Sequence, residues 1–353
     1  MANPDRDYWA PLWHGLAGHE VRSAAGGKNS VDLLLVVVHT LRVAANTEGN
    51  EHAWPIGGLI EWAGEAHRRS TGVELGEHEV VRATPWSTVI RWNANRNLVW
   101  GKAVCPGFAA ECGLLPLLAE RAPDHVLAPI EVDRKRGWLL LPDGGDTLKG
   151  TADVATWNQA LLGYAELQQS MVGTEEAMLR VGCPDMRPFA AADRLEQMME
   201  DGSVPFHRWL LDAARNTASL IDLDLIPATI QHDDLRPDNV FADGRVFDWG
   251  DTSLAHPFAS LLTALMPNRP DRPGTALEKA AMRDSYLTSW ASFITDDADA
   301  LSPGTLREQA SLAMLLAPIG RINAWLRAPA VALEIYPNSV DRWVEHMRTS
   351  RWP

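Results

Sequence analysis

Cysteine is scarce. Cys105, Cys112 and Cys183 are the only three in 353 residues, and none forms a C-x-x-C pair. A disulfide framework and a cysteine zinc site are therefore not expected, and a reducing compartment is. The chain also lacks a long apolar run: Leu33 to Val38, bounded by Asp32 and His39, is the longest aliphatic stretch and is far too short to span a bilayer. Met1 to Arg6 lead into no apolar signal core, so a cytoplasmic location without membrane attachment is expected. Positive charge is in deficit, with 32 Lys and Arg against 46 Asp and Glu for a formal charge of -14. That balance argues against nucleic-acid partners, whose phosphates need a basic surface. Repeats, low-complexity segments and a G-x-G-x-x-G loop are absent too. What is present is an ordinary globular composition, 46% hydrophobic and 22% charged, with length for one large or two moderate domains.

The most informative stretch runs from Thr229 to Asp251. A short apolar run ends in His232, and polar, loop-forming residues follow to Asn239. Val240-Phe241 and Val246-Phe247 read as the arms of a hairpin across an Asp243-Gly244 turn. That turn directs Asp248 back toward Asp234 and Asn239, and a group of hard oxygen donors of this kind suits Mg2+. On their own, these residues also read as an acidic turn with a satisfied histidine.

His232-x-Asp234-x-x-x-x-Asn239 has the spacing of the kinase catalytic loop, and Asp248-Trp249-Gly250 stands where kinases carry Asp-Phe-Gly. The sequence resembles the aminoglycoside phosphotransferase family, the small-molecule branch of the protein-kinase-like fold. The resemblance implies that Asp234 accepts or orients a substrate hydroxyl, that Asn239 and Asp248 hold the metal, and that His232 braces the loop. Arg236 would neutralise the transferring phosphoryl group, and Asp251 would be a companion ligand. The family usually has glycine where this chain has Asp233.

Upstream, strand-like runs fall near 79–83, 87–92 and 98–104, a meander of the kind that roofs a nucleotide. Without the glycine-rich loop, the turn from Thr84 to Thr88, with Ser87 in it, would cover phosphates through N–H groups and hydroxyls. Lys102 sits among strand apolars, and Glu111 follows on a helix expected over 108–120, kinked or ended early by Pro116. Lys102 and Glu111 resemble the kinase pair that contacts the α- and β-phosphates. Further strands are expected at 126–132 and 137–141, followed by the breaker Pro142-Asp143-Gly144-Gly145-Asp146. By resemblance this is the hinge, where Leu140, Leu141 and Asp143 would meet the adenine edge. Pro55-x-Gly57-Gly58 faintly resembles a Nudix entry, but the matching turn Arg68 to Gly72 has no carboxylates to hold a metal.

From Thr151 the pattern is helical, with segments expected at 194–200, 206–223, 276–293, 306–316 and 339–348. Asp185, Glu196, Glu200, Asp201, Asp296 and Asp297 are candidates for a cation pocket in this half. The expected fold class is α+β: a bilobal protein-kinase-like fold with a β-rich N-lobe over 1–142 and a helical C-lobe over 151–353, joined by a hinge at 143–150. Within the N-lobe, 1–75 is an extension with one helix and 76–142 the nucleotide-binding sheet. The expected activity is ATP-dependent phosphoryl transfer, with Mg2+ and with the choice of ATP over GTP left open, to a hydroxyl of a small polar or cationic molecule such as an antibiotic. The alternatives are a kinase for an amino sugar, sugar or amino alcohol, and a kinase-shaped binding protein without catalysis. A protein kinase is disfavoured by the missing glycine-rich loop and the missing Ala-Pro-Glu segment.

Overall fold

The computed structural model describes residues 53–353 except Arg96, Asn268 and 296–300. The apolar run at 31–38 and the acidic pair Asp296 and Asp297 lie outside the described residues. The fold is α+β. Its first helix, Leu59–Thr71, is bracketed by Gly58 and Gly72, both at positive φ. The Gly72 N–H closes the helix on the Arg68 carbonyl at 2.9 Å.

A five-stranded antiparallel sheet follows, built from β1 (His78–Ala83), β2 (Ser87–Ala94), β3 (Asn97–Val104), β4 (Glu131–Asp133) and β5 (Trp138–Pro142) in the order β1-β2-β3-β5-β4. One face of the sheet buries Ile90, Trp92, Val99 and Leu140 against Leu59 and Trp62 of the first helix. Gly101 makes room for this packing: a Cβ there would stand 2.6 Å from the Trp92 ring. The expected strand at 126–132 shrinks to β4, because Pro129 has no N–H to give a ladder.

Between β3 and β4 lies the helix Ala110–Arg121. It continues through Pro116 to Arg121, contrary to the early end the proline suggested, since the loss of one donor is offset by the buried Leu114, Leu115 and Leu118. The helical half begins with Val154–Ser170, whose first turn is capped by Asp153 accepting from Thr156 N–H at 2.8 Å. Helices Glu175–Arg180, Pro188–Glu200 and Arg208–Leu220 lead to β6 (Thr229–Gln231), which pairs antiparallel with β7 (Ser253–Ala255). Helices Ala276–Ile294, Pro303–Arg327, Ala330–Ile335 and Ser339–Thr349 complete the described chain. Pro303–Arg327 far outruns the expected 306–316. Pro318 and Gly320 read as breakers in sequence, but every residue from Leu316 to Ala324 is buried, and packing overrides propensity.

Candidate active site

β6 and β7 hold the two ends of one loop, and every candidate residue from His232 to Asp248 hangs from it. The chain leaves β6 through buried Gln231, His232 and Asp233. It turns at the 3-10 segment Pro237–Asn239 and forms the expected hairpin as a single Val240–Val246 bridge. Asp248 then adopts the left-handed conformation, φ 64° and ψ 57°, unusual for a residue with a side chain. That bend aims its carboxylate at the sheet.

His232 ties this loop together. The Asp234 N–H donates to its Nδ1 at 3.2 Å, so the ring proton resides on Nε2, which donates to the Phe247 carbonyl at 3.0 Å. Both bonds suit a neutral ring, and burial holds the His232 pKa below its ordinary value. The imidazole thereby fixes the backbone beside Asp234 and the backbone just before Asp248 with one side chain. Tyr164, on the helix Val154–Ser170, accepts the His232 N–H at 2.8 Å.

Lys102 and Glu111 meet, as the kinase-like pairing required. Lys102 Nζ lies 2.9 and 2.7 Å from the Glu111 oxygens and 2.5 Å from Asp248 Oδ1. The Trp249 N–H donates to Glu111 Oε1 at 3.2 Å. Burial disfavours a charge on all three groups. For Lys102 the two carboxylates outweigh it and raise the pKa. For Asp248 it is overcome by Lys102 and then Arg82, which hold the carboxyl well below the usual range. Asp248 is thus an anion at the pH of the cell.

Asp234 is the more open carboxylate. Asn239 Nδ2 donates to its backbone carbonyl at 2.9 Å and to Oδ2 at 3.3 Å. Arg236 Nε lies 3.1 Å from Oδ2 but off the hydrogen-bond axis, so this buried donor has no hydrogen-bond partner. Arg321, from the long helix Pro303–Arg327, lies 3.8 Å from Asp234 Oδ1 and donates to Asp251 Oδ2 at 2.7 Å. Nothing local in the sequence pointed to Arg321, because tertiary packing alone brings it here. Its pairing also engages Asp251.

A cavity of about 270 Å³ opens between the sheet and the loop. Ser87, Lys102, Glu111, Leu141, Asp143 and Asp248 line it. Leu140 does not. Strand alternation turns its side chain into the core beneath the first helix, and its carbonyl accepts the Ile130 N–H at 2.8 Å. Trp100, not singled out in the sequence, also lines the cavity and donates through Nε1 to Asp143 Oδ1 at 2.8 Å. The acidic residues offered as a cation pocket do not gather here: Asp185 pairs with Arg187 and Glu196 with Arg215, each at 2.5 Å, and Glu200 and Asp201 are exposed.

This loop, beside a mainly apolar cavity, is the candidate active site. The family model described as APH, phosphotransferase enzyme family, matches residues 111–295. That is more than half of the 353-residue chain, and the chain belongs to this family of phosphotransferases. No curated protein matches it. Among solved structures, a macrolide 2'-phosphotransferase from Brachybacterium faecium is similar at 15% identity and a TM-score of 0.53, over 80% of this chain and 98% of that one. The aminoglycoside 2'-phosphotransferase-IIIa, solved with GDP, gives 14%, 0.52, 81% and 99%. A Plasmodium vivax ethanolamine kinase gives 10%, 0.55, 94% and 96%. These likenesses extend the protein-kinase-like fold over most of the chain.

Proposed function

We propose that this phosphotransferase moves the γ-phosphoryl group of ATP, bound with Mg2+, to a hydroxyl of a small polar molecule. The observation that supports this best is the convergence of Lys102, Glu111 and Asp248 in the lining of the cavity, with Asp248 on the loop that also carries Asp234 and Asn239. In this reading Leu141 and Asp143 border the base, and Lys102 holds the α- and β-phosphates. Asp234 orients the acceptor hydroxyl and takes its proton as the oxygen attacks phosphorus. Arg236, with its unpartnered buried Nε, steadies the charge on the phosphoryl oxygens.

The residues present fit Mg2+. Asp248 is held ionised, and Asn239 spends its N–H on Asp234, which leaves its carbonyl end as a donor. Among the described residues no cluster of three or more His, Cys, Asp or Glu forms a metal site. A Mg2+ ion completed by phosphate oxygens and water needs no such cluster. Held by Asp248 and Asn239, it would lower the cost of the negative charge on the phosphates.

Antibiotics are the first acceptor class to test, because macrolide and aminoglycoside phosphotransferases share the fold. Amino alcohols are the second, on the likeness to an ethanolamine kinase. The test is ADP release across a panel of macrolides, aminoglycosides, amino alcohols and sugars, with mass spectrometry of each acceptor. One acceptor gaining a phosphate is expected. A panel without acceptor-dependent ADP release counts against the reading.

A further inference from the structure

The β1–β2 hairpin stands where a glycine-rich loop would hold phosphates through backbone N–H groups. No glycine lies between Gly76 and Gly101. The turn is also closed on itself. Thr84 N–H donates to the Ser87 carbonyl at 2.8 Å, and Ser87 N–H donates to Thr84 Oγ1 at 3.0 Å. Thr84 Oγ1 donates to the Ser87 carbonyl at 2.9 Å, and Thr88 Oγ1 to the Trp54 carbonyl at 2.6 Å. Pro85 has no N–H. Trp86 at the tip packs against Trp325 and Tyr336, each with ring centroids 5.8 Å away. This hairpin has few donors left for a phosphate.

Arg82 supplies what the turn lacks. The pairing of β1 with β2 slips between Val80 and Arg82. Such a bulge breaks the alternation of faces, and here the consecutive residues Val81 and Arg82 both line the cavity. Arg82 Nη1 lies 4.0 Å from Asp248 Oδ2, close enough to feel its charge and too far for a hydrogen bond. The side chain is 49% exposed, and its guanidinium keeps its donors for a ligand.

We infer that Arg82 is a second phosphate-binding side chain of the nucleotide site beside Lys102, gripping the outer phosphates from the sheet side in place of a glycine-rich loop. Lys102 and Arg82 then flank the phosphates on either side of Asp248. This assignment rests on the nucleotide-dependent reading above.

Calorimetry of adenosine, AMP, ADP and ATP with Mg2+, on wild type and on Arg82→Gln and Arg82→Lys, tests it. A grip on the outer phosphates predicts unchanged adenosine and AMP affinity in Arg82→Gln, and about a tenfold or greater loss for ADP and ATP. Arg82→Lys should recover part of that loss. Equal losses for all four ligands, which a structural role would give, or no loss for ATP, would overturn the assignment of Arg82 alone. A wild-type protein that binds none of the four would overturn the nucleotide-dependent reading with it.

Discussion

Gly320 faces Asp233 across the base of the loop that leaves β6: a Cβ at Gly320 would stand 2.9 Å from Asp233 Oδ1. Asp233 occupies the position where the family usually has glycine, and the long helix gives up its own side chain opposite it. The buried carboxylate is further satisfied by Gln231 Nε2 at 3.1 Å and Ser253 Oγ at 3.0 Å. Gly320→Ala should therefore destabilise the protein by about 1–3 kcal/mol, the usual cost of overfilling a core. In an Asp233→Gly background the same substitution should cost much less. Urea unfolding of the four proteins measures the coupling, and additive effects would show that the two positions do not compete for space.

Asp233 also gives stability a pH slope. Burial pushes its carboxyl up to about 6 from an ordinary 3.8. Between those values the folded protein keeps a proton that the unfolded chain has lost, so stability falls as pH rises through that window and stays lower at pH 7. Asp233→Asn should flatten the slope and gain on the order of 2 kcal/mol at pH 7 relative to its effect at pH 4. Denaturant midpoints measured from pH 4 to 7 check this, and parallel curves for the two proteins would contradict it.

Lys102 neutralises two carboxylates at once. Lys102→Met leaves Glu111, almost wholly buried, and Asp248 facing one another without the cation between them, with Arg82 only 4.0 Å from the far side of Asp248. The expected cost is about 3 kcal/mol, together with loss of phosphoryl transfer. Adding Glu111→Leu should restore part of the stability and none of the turnover. Thermal unfolding of both variants, read beside their activity, separates the structural role of the pair from its role in the reaction.

The layout of the candidate loop was legible in the sequence because its contacts are local. His232, Asp234 and Asn239 lie within one turn-forming stretch; the His232 and Asn239 side chains bond to backbone a few residues away or just across the hairpin, and the Asp234 carboxylate accepts from Asn239. Lys102 was legible for a related reason, as a lone cation in an apolar strand with a glutamate on the next helix. What stayed hidden depends on distant packing or on one-residue shifts. Arg321 arrives from a helix whose continuation past Pro318 only its burial explains. Arg82 reaches the cavity through a slip in strand register. Leu140 and Leu141 differ only in parity along β5, which fixes which of them meets the cavity.

In the proposed reaction Asp234 serves phosphoryl transfer at a site that binds nucleotide through other residues. Asp234→Asn measures it most directly, because the amide keeps the shape and the contact with Asn239 and removes the proton acceptor. ATP affinity by calorimetry should stay within a few fold of wild type, while acceptor-dependent ADP formation falls by about a thousandfold or more. Near wild-type turnover in Asp234→Asn would remove Asp234 from the reaction.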